Sequence, residues 1–290
     1  MSQTPTPYAF RLVNVFADQP LSGNALAVFE DGRDLSDEQM QALALQFNLS
    51  ETTFLLPSTQ ASARVRIFTP TFEMPFAGHP TLGSAHIARS LLGCDDRLTL
   101  EMRAGVIPLS AQSDDWTLRA NPPRARPAEA SEAELAAMLG LETEDVRTQP
   151  MWVNTGVEQL IVRLASPGAV ERCRPDAVLL GRHGTNATRH GLVYVWAHRD
   201  EPPSDDGDPV LARFFFLQHG AVIEDPGTGS AGANLGGWLI ETRHELPVSF
   251  VISQGAQTGR SCTLRLNVDA NRQIFVTGRV IEIGRGTIQL

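Results

Sequence analysis

The chain has 290 residues, twice the ~150 residues of a comfortable single domain, so its length calls for two domains or one large one. With 42% hydrophobic and 20% charged residues, its composition is that of a globular protein and excludes a disordered or fibrous one. A net charge of −9 argues against a basic face for a nucleic-acid backbone.

Met1 to Pro7 hold no basic segment followed by an apolar run, so no signal peptide is expected. Two strands come first, Ala9 to Phe16 and Ala25 to Phe29, joined through the Ser22-Gly23-Asn24 turn. Ser36-Asp37-Glu38-Gln39 is a capping box, and Met40, Leu43 and Phe47 follow at helical spacing, which predicts a helix ending near Asn48. Ser50 to Leu56 is β-like and Arg64 to Thr69 alternates as a half-buried strand, so Glu51 falls at a helix-to-strand junction. Asn121 to Pro127, rich in proline and polar residues near mid-chain, is expected to link two domains. Beyond it, Ser131 to Leu139 reads as a short helix and Val153 to Leu164 as a turn followed by a strand. Glu201 to Pro209 is a polar surface loop whose acids lack calcium-loop spacing.

No apolar run approaches the ~18 residues of a membrane span, so no membrane partner is expected. Cys94, Cys173 and Cys262 are widely separated and odd in number, which supports neither a disulfide framework nor a zinc site and fits a reduced cytoplasmic setting. Asn48-Leu49-Ser50 matches a glycosylation acceptor, a chance match in a chain without a secretion signal.

An internal repeat is the most informative feature. Glu73-Met74-Pro75-Phe76-Ala77-Gly78-His79-Pro80 and Glu224-Asp225-Pro226-Gly227-Thr228-Gly229-Ser230-Ala231 align at a constant offset of 151. Each copy follows a strand candidate, Val65 to Phe68 or Ala212 to Leu217, and precedes small and apolar residues suited to a buried helix, Leu82 to Ala88 or Ala233 to Leu239. Two strand, Gly-turn, helix units imply duplicated halves.

A glycine-containing turn at a helix N-terminus exposes backbone N–H groups where the helix dipole is positive, a setting for a carboxylate, phosphate or enolate oxygen. Gly-rich turns also serve simply to bring helices close, and spacing does not separate these uses. Neither copy is a dinucleotide or nucleoside triphosphate fingerprint, and Ser230 lacks the context of a nucleophile elbow. Glu51, His79 and Asp225 are the titratable groups beside these turns or at the junction. Glu51 suits a base that takes a proton from an acidified carbon and returns it elsewhere. Asp225 is equally placed to cap a helix, and His79 either orients a substrate or is a buried, hydrogen-bonded core histidine. His79 and His86 lie ~10 Å apart by helical rise, too far to share a metal, and the other histidines form no ligand pattern.

These residues resemble the phenazine biosynthesis (PhzF-like) family of the diaminopimelate epimerase-like superfamily. Val13-Asn14-Val15-Phe16 through Ser22-Gly23-Asn24 carry the resemblance, as do Asn48 to Thr52, Phe68 to Thr71 running into Gly78-His79, Glu224 to Ala231, and Gln254-Gly255 with Gly259-Arg260. It implies an α+β fold of two pseudo-symmetric domains, each with a curved, barrel-like sheet around a central helix. Residues 1–122, completed by 280–290, would form one domain and 123–279 the other, with the active site in the cleft between them.

The function it implies is a homodimeric, cytoplasmic isomerase, free of cofactor and metal, that moves a proton between carbons of a small carboxylated metabolite. Carried over residue by residue, Glu51 would be the acid/base, with His79 and Asp225 orienting the substrate. Gly78, Thr228, Gly229 and Ser230 would hold its carboxylate or developing charge. Related epimerases use two opposed cysteines, but Ala77 and Pro226 stand at the matching turns, which disfavours a two-thiol racemase. Cys94 and Cys262 are expected to be small core residues. The alternatives are an inactive binding or interaction protein on the same fold and a cysteine-independent racemase or epimerase. Two departures from the family pattern, Ala25 after Gly23-Asn24 and the apolar approach of Phe72, Met74 and Phe76, mark the residues expected to shape the substrate pocket.

Overall fold

A computed structural model describes residues 6–147 and 149–290; of the segment read for a signal peptide, Met1 to Pro5 lie outside the described residues. The chain divides into two units, the residues up to Leu118 together with Thr277–Leu290, and Arg119–Val276.

The first unit begins with β1 (Pro7–Val15) and β2 (Asn24–Phe29). Helix α1 (Asp37–Phe47) starts at the predicted capping box on Ser36 and stops at Asn48, which takes the left-handed conformation of a helix C-cap. Next come β3 (Glu51–Leu56), β4 (Ala63–Phe68), β5 (Glu73–Met74) and helix α2 (Gly78–Leu92). Strands β6 (Arg97–Met102), β7 (Gly105–Gln112) and β8 (Asp115–Arg119) follow. The last strand of the chain, β17 (Ile274–Gln289), pairs with both β1 and β8. Neighbouring strands then run β1, β2, β3, β4, β6, β7, β8, β17 and back to β1, a closed eight-stranded sheet.

Helix α2 is buried along nearly its whole length and packs against β1, β2, β3, β4 and β6. A Cβ on its Gly83 would stand 2.6 Å from Leu26 Cδ2, so a larger residue there would displace the Leu26 side chain. On the opposite face, α1 covers an aromatic cluster of Phe10, Phe29, Phe47, Phe54 and Phe68. Strand residues that alternate between the two faces thus serve two cores.

The second unit comprises β9 (Arg124–Pro127), α3 (Glu132–Leu139), β10 (Met151–Asn154), β11 (Glu158–Arg163), α4 (Pro167–Arg172) and α5 (Ala177–His183). It continues through β12 (Leu192–His198), β13 (Asp208–Gln218), β14 (Ala221–Asp225), α6 (Gly229–Glu241), β15 (Val248–Gln254) and β16 (Cys262–Val268). Its sheet runs β9, β10, β11, β12, β13, β15, β16, with the β11/β12 and β13/β15 pairs parallel. Helix α6 is the buried counterpart of α2 and packs on β9, β10, β11 and β16. A separate core under α3, α4 and α5 takes the other face, through Leu135, Leu160, Val193, Val195 and Phe215.

Several expectations change. Arg124–Pro127 of the expected linker is strand β9, paired with β10, because Arg124 to Pro127 is extended backbone that an edge strand accepts despite its proline. Val153 lies within β10 rather than in a turn; the turn falls at Thr155 to Val157. Cys94 is only half-buried, just past the end of α2, whereas Cys173 joins Cys262 in being buried.

The repeat is structural. In both copies an antiparallel hairpin, β4/β5 or β13/β14, leads into the buried helix. Phe68 pairs with Glu73 in the first and Phe215 with Glu224 in the second. An arginine two residues before each phenylalanine reaches across, Arg66 to Glu73 and Arg213 to Glu224, while lying over the ring of Phe68 or Phe215.

Candidate active site

In the first unit, parallel pairing of β2 and β3 sets Leu26 opposite Glu51, so both strands start at one end of the sheet. Asn24 and Ala25 open β2 there, Glu51 opens β3, and His79 is the second residue of α2. Pro80 is tolerated in the first helical turn, where its missing N–H has no partner to lose.

His79 Nε2 lies 3.4 Å from Glu51 Oε2, with the histidine buried and the Glu51 side chain 15% exposed. Burial lowers the His79 pKa from 6.5 to about 3, opposed by a hydrogen bond to the Ala25 backbone, so the imidazole is neutral. Among the described residues Nε2 makes no hydrogen bond. Asn24 Nδ2 lies 3.4 Å from His79 Nδ1. The other ring nitrogen, Nε2, faces the Glu51 carboxyl group.

In the second unit, Asp225 ends β14 and Thr228 is the N-cap residue of α6. Thr228 N–H donates to Gln254 Oε1 at 3.4 Å, and this fixes the amide so that Gln254 Nε2 donates to Thr228 Oγ1 at 3.0 Å and to the Asp225 carbonyl at 2.9 Å. The Thr228 hydroxyl, having accepted, donates to Asp225 Oδ2 in a short contact. Next to Gln254, Gly255 has φ of +82°, and a Cβ there would stand 2.3 Å from the Pro226 carbonyl and 2.4 Å from that of Arg260. Only glycine lets this loop back the Asp225-Pro226 turn.

Both buried helices start without a side-chain cap or an acidic residue in the first turn, at Ala77 and Thr228. By contrast α1 and α3 carry complete capping boxes on Ser36 and Ser131. The N-termini of α2 and α6 thus retain the positive end of the helix dipole, with Gly78 and Gly229 as first helical residues. The predicted residues fall into two sets: Glu51, Gly78 and His79 together in the first unit, and Asp225, Thr228, Gly229 and Ser230 together in the second.

Among the described residues, no group of three or more His, Cys, Asp or Glu side chains is placed to hold a metal ion. No helix among them is long and apolar enough to cross a membrane.

Four supporting residues had no assigned role in the sequence reading: Asn24, Gln159, Asn234 and Gln254, all essentially buried. Each is an amide in or beside an apolar run, such as Gln159 within Glu158–Arg163, and a buried amide needs partners on both ends. That pattern was the available signal.

A model of the phenazine biosynthesis-like protein family, PhzC-PhzF, matches residues 13–285. An uncharacterized isomerase of Pasteurella multocida is 38% identical over 287 residues, covering 98% of this chain and 94% of the relative. The trans-2,3-dihydro-3-hydroxyanthranilate isomerase of Pseudomonas aeruginosa is 36% identical over 261 residues, 87% of each chain. Among solved structures, a Bacillus anthracis phenazine biosynthesis protein of the PhzF family superposes with a TM-score of 0.84 at 24% identity, covering 98% of this chain and all of that one. The α+β, diaminopimelate epimerase-like fold expected from the sequence is therefore the fold of this protein. Matched over nearly its whole length, the chain belongs to the phenazine biosynthesis-like PhzC-PhzF family and is an isomerase.

Proposed function

We propose that this isomerase moves a proton between two carbons of a small, cyclic, unsaturated carboxylate, with Glu51 as the acid/base and without a cofactor. The observation that carries the reading is the Glu51–His79 contact, a carboxyl group facing Nε2 of a neutral, buried imidazole.

As carboxylate, Glu51 takes a proton from a carbon acidified by the adjacent unsaturated system, and the electron pair of the broken C–H bond spreads into that system. His79, whose Nε2 lies 3.4 Å from Glu51 Oε2, holds the protonated acid in place. Glu51 returns the proton to a second carbon of the same substrate, and the base is restored. One carboxyl group suffices, in keeping with Ala77 and Pro226 at the turns where a two-base epimerase would need thiols. His79 and Asp225 orient the substrate's polar groups, and Gly78, Thr228, Gly229 and Ser230 hold the carboxylate and the charge that develops, with the uncapped N-termini of α2 and α6 in support. The substrate class follows the named Pseudomonas relative. A cytoplasmic homodimer is proposed on family grounds, and light scattering of the purified protein tests the dimer.

The deciding experiment incubates trans-2,3-dihydro-3-hydroxyanthranilate with the protein in deuterated water and follows turnover and deuterium incorporation. Wild type should incorporate label at carbon, and Glu51→Gln should slow turnover by about 10²–10⁴-fold while folding normally. Equal turnover in the variant removes Glu51 from the role.

A further inference from the structure

A chain of buried amides in the second unit ends at Ser230, and its polarity can be read from the backbone outward. The Thr155 N–H can only donate, and it donates to Asn234 Oδ1 at 2.8 Å; the Thr155 hydroxyl donates to the same oxygen at 2.7 Å. The Val157 carbonyl can only accept, and it takes one N–H of Asn234 Nδ2 at 2.8 Å. With both ends of the Asn234 amide set by backbone groups, its second N–H goes to Gln159 Oε1 at 2.7 Å. Gln159 is thereby turned so that its Nε2 donates to Ser230 Oγ at 3.0 Å. Asn234 is fully buried and Gln159 is 2% exposed, so neither amide can reverse without leaving buried groups unpaired.

A serine hydroxyl has one proton and can accept as well as donate. Since Ser230 Oγ accepts from Gln159, its proton points elsewhere, and among the described residues no acceptor takes it. Ser230 is the second residue of α6, at the uncapped, positive end of that helix.

We infer that Gln159 is a positioning residue that holds Ser230 as an outward hydrogen-bond donor, so that this end of the site selects an anionic acceptor, a carboxylate, over a neutral amide. This deepens the proposed function and rests on its placement of the substrate carboxylate at Ser230. The selectivity has a direction: a carboxylate offers only acceptors to the Ser230 proton and the helix N–H groups, whereas an amide turned the wrong way adds a donor.

Calorimetric titration of the full-length protein with anthranilate and with 2-aminobenzamide tests the inference. Wild type should prefer anthranilate, and Ser230→Ala should weaken it about 10- to 100-fold. Gln159→Glu keeps the size and the acceptor for Asn234 but removes the N–H, so Ser230 donates inward; anthranilate should weaken by a similar factor and 2-aminobenzamide by much less. Gln159→Met removes the N–H without supplying an acceptor, so the Ser230 proton stays available and the loss should be under about 5-fold. In a Ser230→Ala background, Gln159→Glu should add little, which separates the relay from simple charge repulsion. As pH falls, the introduced carboxyl group gains an O–H that donates as the amide did, so anthranilate binding by Gln159→Glu should recover relative to wild type at the same pH.

The two readings fail differently. Wild-type binding by Ser230→Ala overturns the placement of the carboxylate and this inference with it. A large effect of Ser230→Ala overturns the inference alone if it comes with equal losses in Gln159→Glu and Gln159→Met, or with undiminished loss in the double variant.

Discussion

Arg213 clasps Glu224 through two parallel hydrogen bonds, Nε to Oε1 at 2.9 Å and Nη2 to Oε2 at 2.7 Å, directly beside Asp225. Its remaining nitrogen, Nη1, donates to the carbonyls of Val170, Glu171 and Cys173 at the end of α4. The side chain is 4% exposed, so the guanidinium depends on these partners for its solvation. Removing one partner of a buried pair leaves an uncompensated charge. Glu224→Ala should therefore cost about 3–5 kcal/mol of unfolding free energy. The equivalent Glu73→Ala should cost less, about 1–2 kcal/mol, because Arg66 keeps the exposed carboxylate of Asp37 as a second partner. Urea unfolding of the two variants beside wild type checks the order.

Much of this repeat was legible in the sequence, and the rest was hidden for a physical reason. The offset of 151 caught the turns and helix starts because those residues occupy equivalent positions on α2 and α6. Arg66-Ile67-Phe68 and Arg213-Phe214-Phe215 escaped it because their offset is 147: the second hairpin is four residues longer than the first, which shifts the register without changing the brace. Glu51 was recognisable from its junction, since a helix ending at Asn48 and a strand starting three residues later leave it at a sheet end. Its contact with His79 was not, because it depends on how α2 packs against β3, which no local pattern encodes. Gln159 and Asn234 were invisible for a similar reason: their partners lie some 70 or more residues away along the chain.

The neutral His79 ties stability to pH. In the unfolded chain the imidazole titrates near 6.5, and in the folded chain burial lowers this to about 3. Between these values the unfolded state binds one more proton, so stability is full above pH 6.5 and falls as pH drops toward 3. From pH 6.5 to 5 the loss should be about 2 kcal/mol. Urea unfolding at pH 7 and pH 5 should show that much more loss in wild type than in His79→Gln, whose side chain does not titrate. Parallel pH dependence in the two proteins would place the acid sensitivity elsewhere.

Gly255→Ala tests the support beneath the Asp225 turn. The methyl group would overlap two carbonyl oxygens, and the residue would keep a positive φ that alanine adopts at a cost of about 1 kcal/mol. Backbone has to move, and the nearest oxygen belongs to Pro226, the residue after Asp225. Folding should weaken by more than 2 kcal/mol, on the order expected of overpacking plus strain. Turnover of the folded fraction should fall as well, measured against Gly259→Ala, where a Cβ meets nothing within 4 Å although φ is also positive.

Thr228 offers the sharpest separation of holding from folding in the second unit. Its hydroxyl accepts from Gln254 and donates to Asp225, so Thr228→Val loses both bonds and leaves the Gln254 Nε2 with one acceptor fewer, at about 1–3 kcal/mol of stability. Thr228→Ser keeps the hydroxyl and loses only a methyl group, so it should restore most of the stability. If Asp225 orients the substrate, losing the Thr228 bond to Oδ2 removes one hold on its carboxylate, and kcat/KM of Thr228→Val should drop about 10- to 100-fold at temperatures where the variant remains folded. The serine variant should recover that activity together with the stability. Restored stability without restored kcat/KM would show that the methyl group, and with it the exact packing of the turn, matters more to turnover than the hydrogen bond to Asp225.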